Sequence, residues 1–319
     1  MKGIGAVIVT CNSEAVIGAC LDAVLDRVEQ VVVVDNASTD RSREEVRKRP
    51  AVHLIANPEN RGFAAAVNQG AAAVDLPLLL LLNPDLTLQA DVGPLASVCA
   101  DPAVGAAAGK LTGEDGRPQA GFSVRRFPSP AALAFEVLGL NRLWKTNPVN
   151  RRYRCLDLDL DSAAEVEQPA GAFLMIRRDA FLAVGGFDEG FRPVWFEDVD
   201  FLRRLRGAGY RIYYEPRVAA KHRGGHSVGR LPEESRVDSW YGSLLRYSAR
   251  HYGFAGRLAV AAAVVVGCTG RMFLGALRGW KRQPLRAYGR VMWTACRRLC
   301  SSRIGEAGRS PVLARQKSG

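Results

Sequence analysis

VVVVDNASTD, residues 31–40, joins four consecutive valines to a carboxylate and then to small polar residues that open a helical pattern. Four β-branched residues without polar alternation read as a strand buried on both faces, which is the mark of a parallel sheet. The same unit recurs on either side. Strands are predicted at 5–10, 30–35, 52–57 and 76–83, with helical spacing at 14–27, 40–49 and 63–74, the alternation of β-α-β units. Ser13 and Ser38 stand where the N-caps of the first two helices are expected. In such a sheet ligands collect beyond the carboxyl ends of the strands. The residues ending these runs are Thr10, Asp35, Asn57 and Asn83.

Beyond residue 103 the pattern loosens into short strands with a hairpin tip at 113–116. Residues 128–165 carry no clean period and read as a variable, partly mobile region. Order returns with an extended stretch across 166–178, a helix start at Asp179, a helix over 195–206 and a strand at 210–214.

Several residues on this frame carry chemistry. Asp35, ending its strand, can cap a turn or accept the imide N–H of a uracil or thymine ring, with helix amides nearby to face phosphate. In NPENRGFAAAVN, 57–68, Gly62 allows close backbone approach where a helix begins, Arg61 is placed to meet phosphate, and Asn68 is polar among alanines. Five leucines at 78–82 deliver Asn83-Pro84-Asp85. A carboxylate there can hold a divalent cation that neutralises a leaving diphosphate. In PVWFEDVD, 193–200, Trp195, Val199 and Leu202 fall at i, i+4 and i+7 and form the expected buried stripe, leaving Glu197 and Asp198 to face the crevice. Asp200, with Arg203 and Arg204 three and four residues on, reads as a surface ion pair. In KHRGGHS, 221–227, either His222 or His226 can supply a nitrogen ligand.

The order of these motifs resembles glycosyltransferase family 2, and within it the bacterial rhamnosyltransferase-like members. The matching segments are VIVTCNSE (7–14), VVDNASTD (33–40), NRGFAAAVNQG (60–70), LLLNPD (80–85), GAFLMIRRDAF (171–181), VGGFDEGF (184–191), FEDVDFLRRL (196–205) and HRGGHS (222–227). The resemblance implies an α/β GT-A fold over 1–230: a Rossmann-like nucleotide-diphospho-sugar transferase with a mixed sheet and helices on both faces, followed by a helical tail over 231–319. It implies inverting transfer from a nucleoside diphosphate sugar, dTDP-L-rhamnose first, to a saccharide acceptor on a polyprenyl diphosphate or a growing surface polysaccharide. Asp198 would be the general base and Glu197 would orient the acceptor, joined there by Gly171 and Trp195. Thr10, Asn12, Asp35, Asn36, Asn60, Arg61, Gly62, Asn68, Asn83 and Asp85 would surround the nucleotide sugar. Asp85, the surviving carboxylate of a D-x-D motif, would hold Mg²⁺ or Mn²⁺ with His222. Two departures stand out: Asn83 replaces the first Asp of that motif, and Cys11 replaces the usual aromatic residue after Thr10.

The chain of 319 residues is 48% hydrophobic and 24% charged, an ordinary globular composition, with a net charge of +12. From Tyr241 onward 15 Lys and Arg face the single acid Glu306, +14, which leaves −2 for residues 1–240. The basic character belongs to the tail, so it does not make the sheet region a nucleic-acid module. Between Arg257 and Arg271 lie 13 uncharged residues, short of the roughly 20 that span a bilayer. After Pro284, Leu285, Tyr288, Met292, Cys296 and Leu299 share one helical face while Arg286, Arg290 and Arg297 gather elsewhere. That pattern predicts an interfacial helix on an anionic membrane, and so a cytoplasmic protein peripheral to the inner face of the plasma membrane. Seven cysteines without a C-x-x-C pair imply neither a disulfide framework nor a zinc ribbon and fit a reducing compartment. The apolar start, ending at Val9, is too short for a secretory signal. A nucleotidyltransferase would need a glycine-rich loop after the first strand, where VTCNSE has none. A non-catalytic sugar-nucleotide binder is the remaining alternative, opposed by the presence of both Asp85 and Asp198.

Overall fold

The computed structural model describes residues 3–224, 232–277 and 282–300. The first half alternates β1 (Ile4–Thr10), α1 (Ile17–Val24), β2 (Gln30–Asn36), α2 (Ser42–Arg47), β3 (Val52–Asn57), α3 (Phe63–Ala72) and β4 (Leu78–Leu82). Then come β5 (Leu86–Leu88), α4 (Gly93–Cys99), β6 (Val104–Thr112), β7 (Val124–Arg125), α5 (Pro130–Leu138), α6 (Leu140–Leu143) and α7 (Pro148–Tyr153). The chain continues through β8 (Ala164–Glu165), β9 (Gln168–Pro169), β10 (Phe173–Arg177), α8 (Arg178–Ala183), α9 (Glu197–Gly207) and β11 (Arg211–His222). Three long helices follow: α10 (Glu233–His251), α11 (Phe254–Leu277) and α12 (Arg282–Cys300).

The main sheet runs β3-β2-β1-β4-β10-β6-β11-β5, with β8 added on β11, while β7 pairs with β9 in a small separate ribbon. β1 to β4 are mutually parallel, and β10 enters antiparallel between β4 and β6. This is the mixed sheet the sequence predicts. Valine and leucine runs without polar alternation can lie only where both faces are covered. Ile17, Leu21, Val24, Val46 and Leu95 cover one face. Ala66, Val67, Phe181, Phe201, Leu202 and Leu205 cover the other. Parallel register then sets Thr10 beside Asp35 and Asn36 beside Asn57 at one edge.

The structure corrects four local readings. Ser13 and Ser38 cap nothing: α1 and α2 begin later, after Val16 and Arg41, neither of which makes a side-chain cap. Residues 128–165 are not irregular throughout, because Ser129-Pro130 and Asn147-Pro148 start α5 and α7. Ser129 accepts from the Ala132 N–H (3.1 Å) and Asn147 from the Asn150 N–H (2.8 Å). Trp195 lies outside α9 at φ 85°, and Glu197 and Asp200 are buried with Val199 and Leu202. The apolar side of α12 is turned mostly inward, with Cys296 of the predicted stripe left exposed. Tyr288 is buried, and Met292 and Leu299 pack on the same cluster as residues of α5, α10 and α11.

Asp200 is therefore no surface ion pair. It is fully buried, accepting from Arg204 (2.8 Å) and His251 (2.7 Å), with Arg250 at 3.3 Å. Burial pushes its pKa up, but the His251 hydrogen bond and the Arg204 and Arg250 charges outweigh this and hold it below the usual carboxylate range. Asp188, also buried, accepts from Arg246 (2.8 Å) and pairs with Arg250. Asp188→Ala leaves two partly buried guanidinium groups short of an anion. Because both arginines keep some solvent contact, the expected loss is about 2–3 kcal/mol, below the full cost of stranding a buried charge. Urea unfolding measures it, and a loss below about 0.5 kcal/mol would show the cluster to be decorative.

Candidate active site

At the ends of β1 and β2, Thr10 and Asp35 are fully buried. Asp35 receives the Arg43 guanidinium and the Ser38 N–H (3.1 Å) on Oδ1. Its Oδ2 and the Thr10 Oγ1 have no protein partner among the described residues. Two orphaned buried polar atoms side by side are costly unless a ligand completes them. The neighbouring asparagines have structural tasks. Asn12, at φ 55°, accepts the Thr39 N–H (2.7 Å) and ties the first loop to the second. Asn36 donates to the Gly62 carbonyl (3.0 Å) and accepts from Asn57 (3.0 Å) and the Arg61 N–H (3.4 Å). Asn60 accepts the Gly62 N–H (2.9 Å). Gly62 adopts φ 85°, and a Cβ there would meet the Pro193 carbonyl at 3.3 Å. Asn68 stands apart from these: both ends of its amide are spent on Phe187 (2.9 Å each way) and Glu189 (3.0 Å). The structure makes it a clamp on the 185–190 loop.

Asp85 emerges past β4 into the same crevice, nearly buried, its Oδ1 3.6 Å from the His222 Nε2. The His222 Nδ1 is 3.0 Å from the Gln119 Oε1, and Gln119 also donates to the His222 carbonyl (2.9 Å). A ring nitrogen fixed by a carbonyl acceptor leaves the other nitrogen as a lone-pair donor, which is how ligating histidines are oriented. Burial pushes the imidazole pKa down, with Asp85 partly opposing, which favours the neutral form that can ligate. Asp85 and His222 thus fit a divalent cation. Among the described residues no cluster of three or more Asp, Glu, His or Cys exists. Other ligands would come from a diphosphate and water. Asn83, two residues before Asp85, donates its N–H to the Ala172 carbonyl (2.9 Å). His226 lies outside the described residues.

The second pair of acids comes from the start of α9. Asp198 accepts the Gly171 N–H (3.0 Å) on Oδ2 and the Val199 N–H (2.8 Å) on Oδ1. A Cβ on Gly171 would lie 2.7 Å from the Asp198 Cβ, so only glycine permits this approach. Trp195 and Phe196, just before the helix, both hold positive φ, 85° and 68°. Such backbone is strained for bulky residues, at about 1–3 kcal/mol each, and clusters at functional sites. Glu197 is buried, and its Oε2 has no partner. Burial and the neighbouring Asp198 charge raise its pKa well above the usual value. Burial raises Asp198 too, but the two amide donors and the charge of Arg125 oppose the shift. Both carboxyls are raised by burial, Glu197 more strongly, while the two amide donors on Asp198 favour its ionised form and nothing does so at the Glu197 Oε2, the kind of asymmetry that separates an acid from a base.

Sequence reading missed the segment that spans the two ends. Gln119 holds His222, the Phe122 ring stacks on it at 5.3 Å and 16°, and Arg125 follows in β7, its charge reaching Asp198. No local motif marks these residues, since they join the site by folding back from the irregular region.

Comparison with known proteins places the arrangement. Residues 6–181 match the family described as Glycosyl transferase family 2. Among curated relatives, the N-acetylglucosaminyl-diphospho-decaprenol L-rhamnosyltransferase of Mycobacterium tuberculosis is 30% identical over 254 residues, covering 74% of this chain and 80% of its own. The rhamnosyltransferase WbbL of Escherichia coli strain K12 is 35% identical over 133 residues, 40% of this chain and 45% of its own. Among solved structures, the mannosyltransferase PcManGT of Pyrobaculum calidifontis, in complex with GDP-Man and Mn²⁺, aligns with a TM-score of 0.53 at 18% identity over 94% of this chain and 88% of that one. At that identity the likeness speaks for the fold alone. Taken with the two acid sites at the strand ends, the sequence matches settle the family: this chain is a glycosyltransferase and belongs to glycosyltransferase family 2, among its rhamnosyltransferase-like members.

Proposed function

We propose that this glycosyltransferase moves L-rhamnose from dTDP-L-rhamnose, with inversion, onto a saccharide carried on a polyprenyl diphosphate in the synthesis of a cell-surface polysaccharide. The observation that carries the reading is the unequal setting of two adjacent buried carboxyls, with two amide N–H groups aimed at Asp198 and none at the Glu197 Oε2. Asp198 takes the acceptor hydroxyl proton as that oxygen bonds to the anomeric carbon. The carbon–oxygen bond to the donor phosphate breaks on the opposite face. Glu197, with its free Oε2, orients the acceptor by a hydrogen bond. The orphaned Asp35 Oδ2 and Thr10 Oγ1 suit the imide N–H and carbonyl of a pyrimidine base. Asn12, Asn36, Asn60 and Gly62 shape the loops around that base, and Arg61 lies among them. A divalent cation, Mg²⁺ or Mn²⁺, on Asp85 and His222 would neutralise the charge of the departing diphosphate. The sugar identity rests on the two rhamnosyltransferase relatives and the lipid-linked acceptor on the mycobacterial one.

A membrane-bound acceptor fits the outer face of α11. Leu258, Val266, Phe273, Leu274 and Leu277 are exposed along about 28 Å of helix. Its inner face packs into the helical cluster through Val260, Val264 and Cys268. By length and composition α11 could cross a bilayer. Its two arginines turn inward, however, Arg257 to the Arg298 carbonyl (2.6 Å) and Arg271 to the Val137 carbonyl (2.7 Å). We therefore assign residues 1–230 to catalysis and 231–319 to seating the enzyme, peripherally, on the anionic inner face of the plasma membrane. α11 contributes the apolar contact there, and the basic tail the attraction.

Three measurements test this. In Asp198→Asn the shape remains but the proton acceptor is gone, so turnover from dTDP-L-rhamnose is expected to fall about 10²–10⁴-fold with dTDP affinity nearly unchanged. Near wild-type turnover would remove Asp198 from its role. Asp85→Ala is expected to lose Mg²⁺ or Mn²⁺ stimulation and dTDP affinity together; full activity of chelator-treated wild type would remove the cation from the mechanism. Phe273→Asp with Leu277→Asp is expected to weaken binding to anionic liposomes at least tenfold, since each apolar side chain contributes about 1.5–3 kcal/mol when buried. Unchanged binding would move the membrane contact elsewhere.

A further inference from the structure

We propose that the Arg125 guanidinium binds the diphosphate of the lipid-linked acceptor, on the side of the site that the base occupies. This rests on the acceptor class proposed above and adds to it a binding residue.

Arg125 is half-buried in the two-residue strand β7, paired with Gln168 of β9, three residues before Gly171 and its bond to Asp198. Its Nε donates to the Gly121 carbonyl (2.8 Å), and its guanidinium carbon lies 5.6 Å from the Phe122 ring and 5.9 Å from that of Tyr153. The plane is therefore fixed from behind. The neighbouring arginines have acids: Arg126 lies 3.6 Å from Glu167 and Arg154 3.5 Å from Glu136. Among the described residues Arg125 has no ion pair, and its two Nη groups have no hydrogen-bond partner. A held guanidinium with both terminal nitrogens free is preorganised for two phosphate oxygens.

Geometry selects between the two diphosphates in the reaction. In an inverting displacement the nucleophile and the leaving group lie on opposite faces of the anomeric carbon. Asp85 and His222 mark the leaving side and Asp198 the nucleophile side. Phe122 stands between, stacked on His222 with Arg125 on it. β7 runs beside the segment that holds Asp198, the Ala170 N–H donating to the Ser123 carbonyl (3.0 Å) and the next N–H, that of Gly171, to Asp198 (3.0 Å), so Arg125 stands on the acceptor side.

The test compares wild type, Arg125→Gln and Arg125→Lys as full chains. The same saccharide is offered as a short polyprenyl diphosphate and as a neutral alkyl glycoside, with dTDP binding measured in Mn²⁺. For Arg125→Gln, KM for the diphosphate acceptor is expected to rise about 10- to 100-fold. KM for the glycoside and dTDP affinity should change less than threefold, and Arg125→Lys should fall between. An equal rise in KM for both acceptors would overturn the proposal in favour of a structural role. Weakened dTDP binding with unchanged acceptor KM would overturn it in favour of the donor. If wild type itself uses the glycoside as well as the diphosphate, the acceptor class fails, and this inference with it, while the transferase reading stands.

Discussion

A fully buried carboxylate, Asp200, takes hydrogen bonds from Arg204 in its own helix and from His251 at the end of α10. It lies two residues beyond Asp198, on the first turn of α9, so whatever fixes its side chain fixes the rotation of that turn. Asp188 adds a second anchor through Arg246 and Arg250 of α10. Stranding a charge in such a cluster costs several kcal/mol, which makes alternative positions of α9 expensive. The C-terminal helices therefore do more than follow the sheet. They supply the cations that hold the turn carrying Glu197 and Asp198.

That rigidity matters because the chemistry depends on small differences between like groups. Glu197 and Asp198 are adjacent carboxyls in one buried place, and both would prefer to be neutral. Two amide donors are aimed at Asp198 and none at the Glu197 Oε2. The amide from Gly171 is available only because that residue lacks a Cβ. A shift of a few tenths of an ångström in α9 would lengthen the Gly171 bond and blur the division of roles. Strained backbone at Trp195 and Phe196 is tolerated at the same place.

The two ends of the site are coupled through short covalent paths. The Ala172 carbonyl holds the Asn83 N–H while the adjacent Gly171 N–H holds Asp198. The 119–125 segment then closes over the top, with Gln119 on His222 and Arg125 toward Asp198. The Asp85 and Asp198 ends of the site are thereby set at a fixed spacing by β10 and β7, which are themselves pinned to the sheet and to β9.

What the sequence determined by itself is the sheet and the motifs at its ends. Uninterrupted valine and leucine runs have one stable place, a strand covered on both faces, so the residues at their carboxyl ends had to gather in one crevice. Thr10, Asp35 and Asp85 were legible as candidates for that reason, and Asp198 from its place beside Glu197 at the start of a helix. What only the tertiary structure decided involves residues whose partners are distant in the chain. Asn68 has the pattern of a ligand contact but lies opposite a loop 119 residues away that consumes its amide. Asp200 has arginines at helical spacing, and local spacing cannot reveal that His251 arrives from the other side and buries it. The apolar stripe of α12 is real, yet α10 and α11 cover it, leaving the exposed face on α11 instead. Periodicity shows that a face must be buried, whereas the element that buries it is chosen by long-range packing.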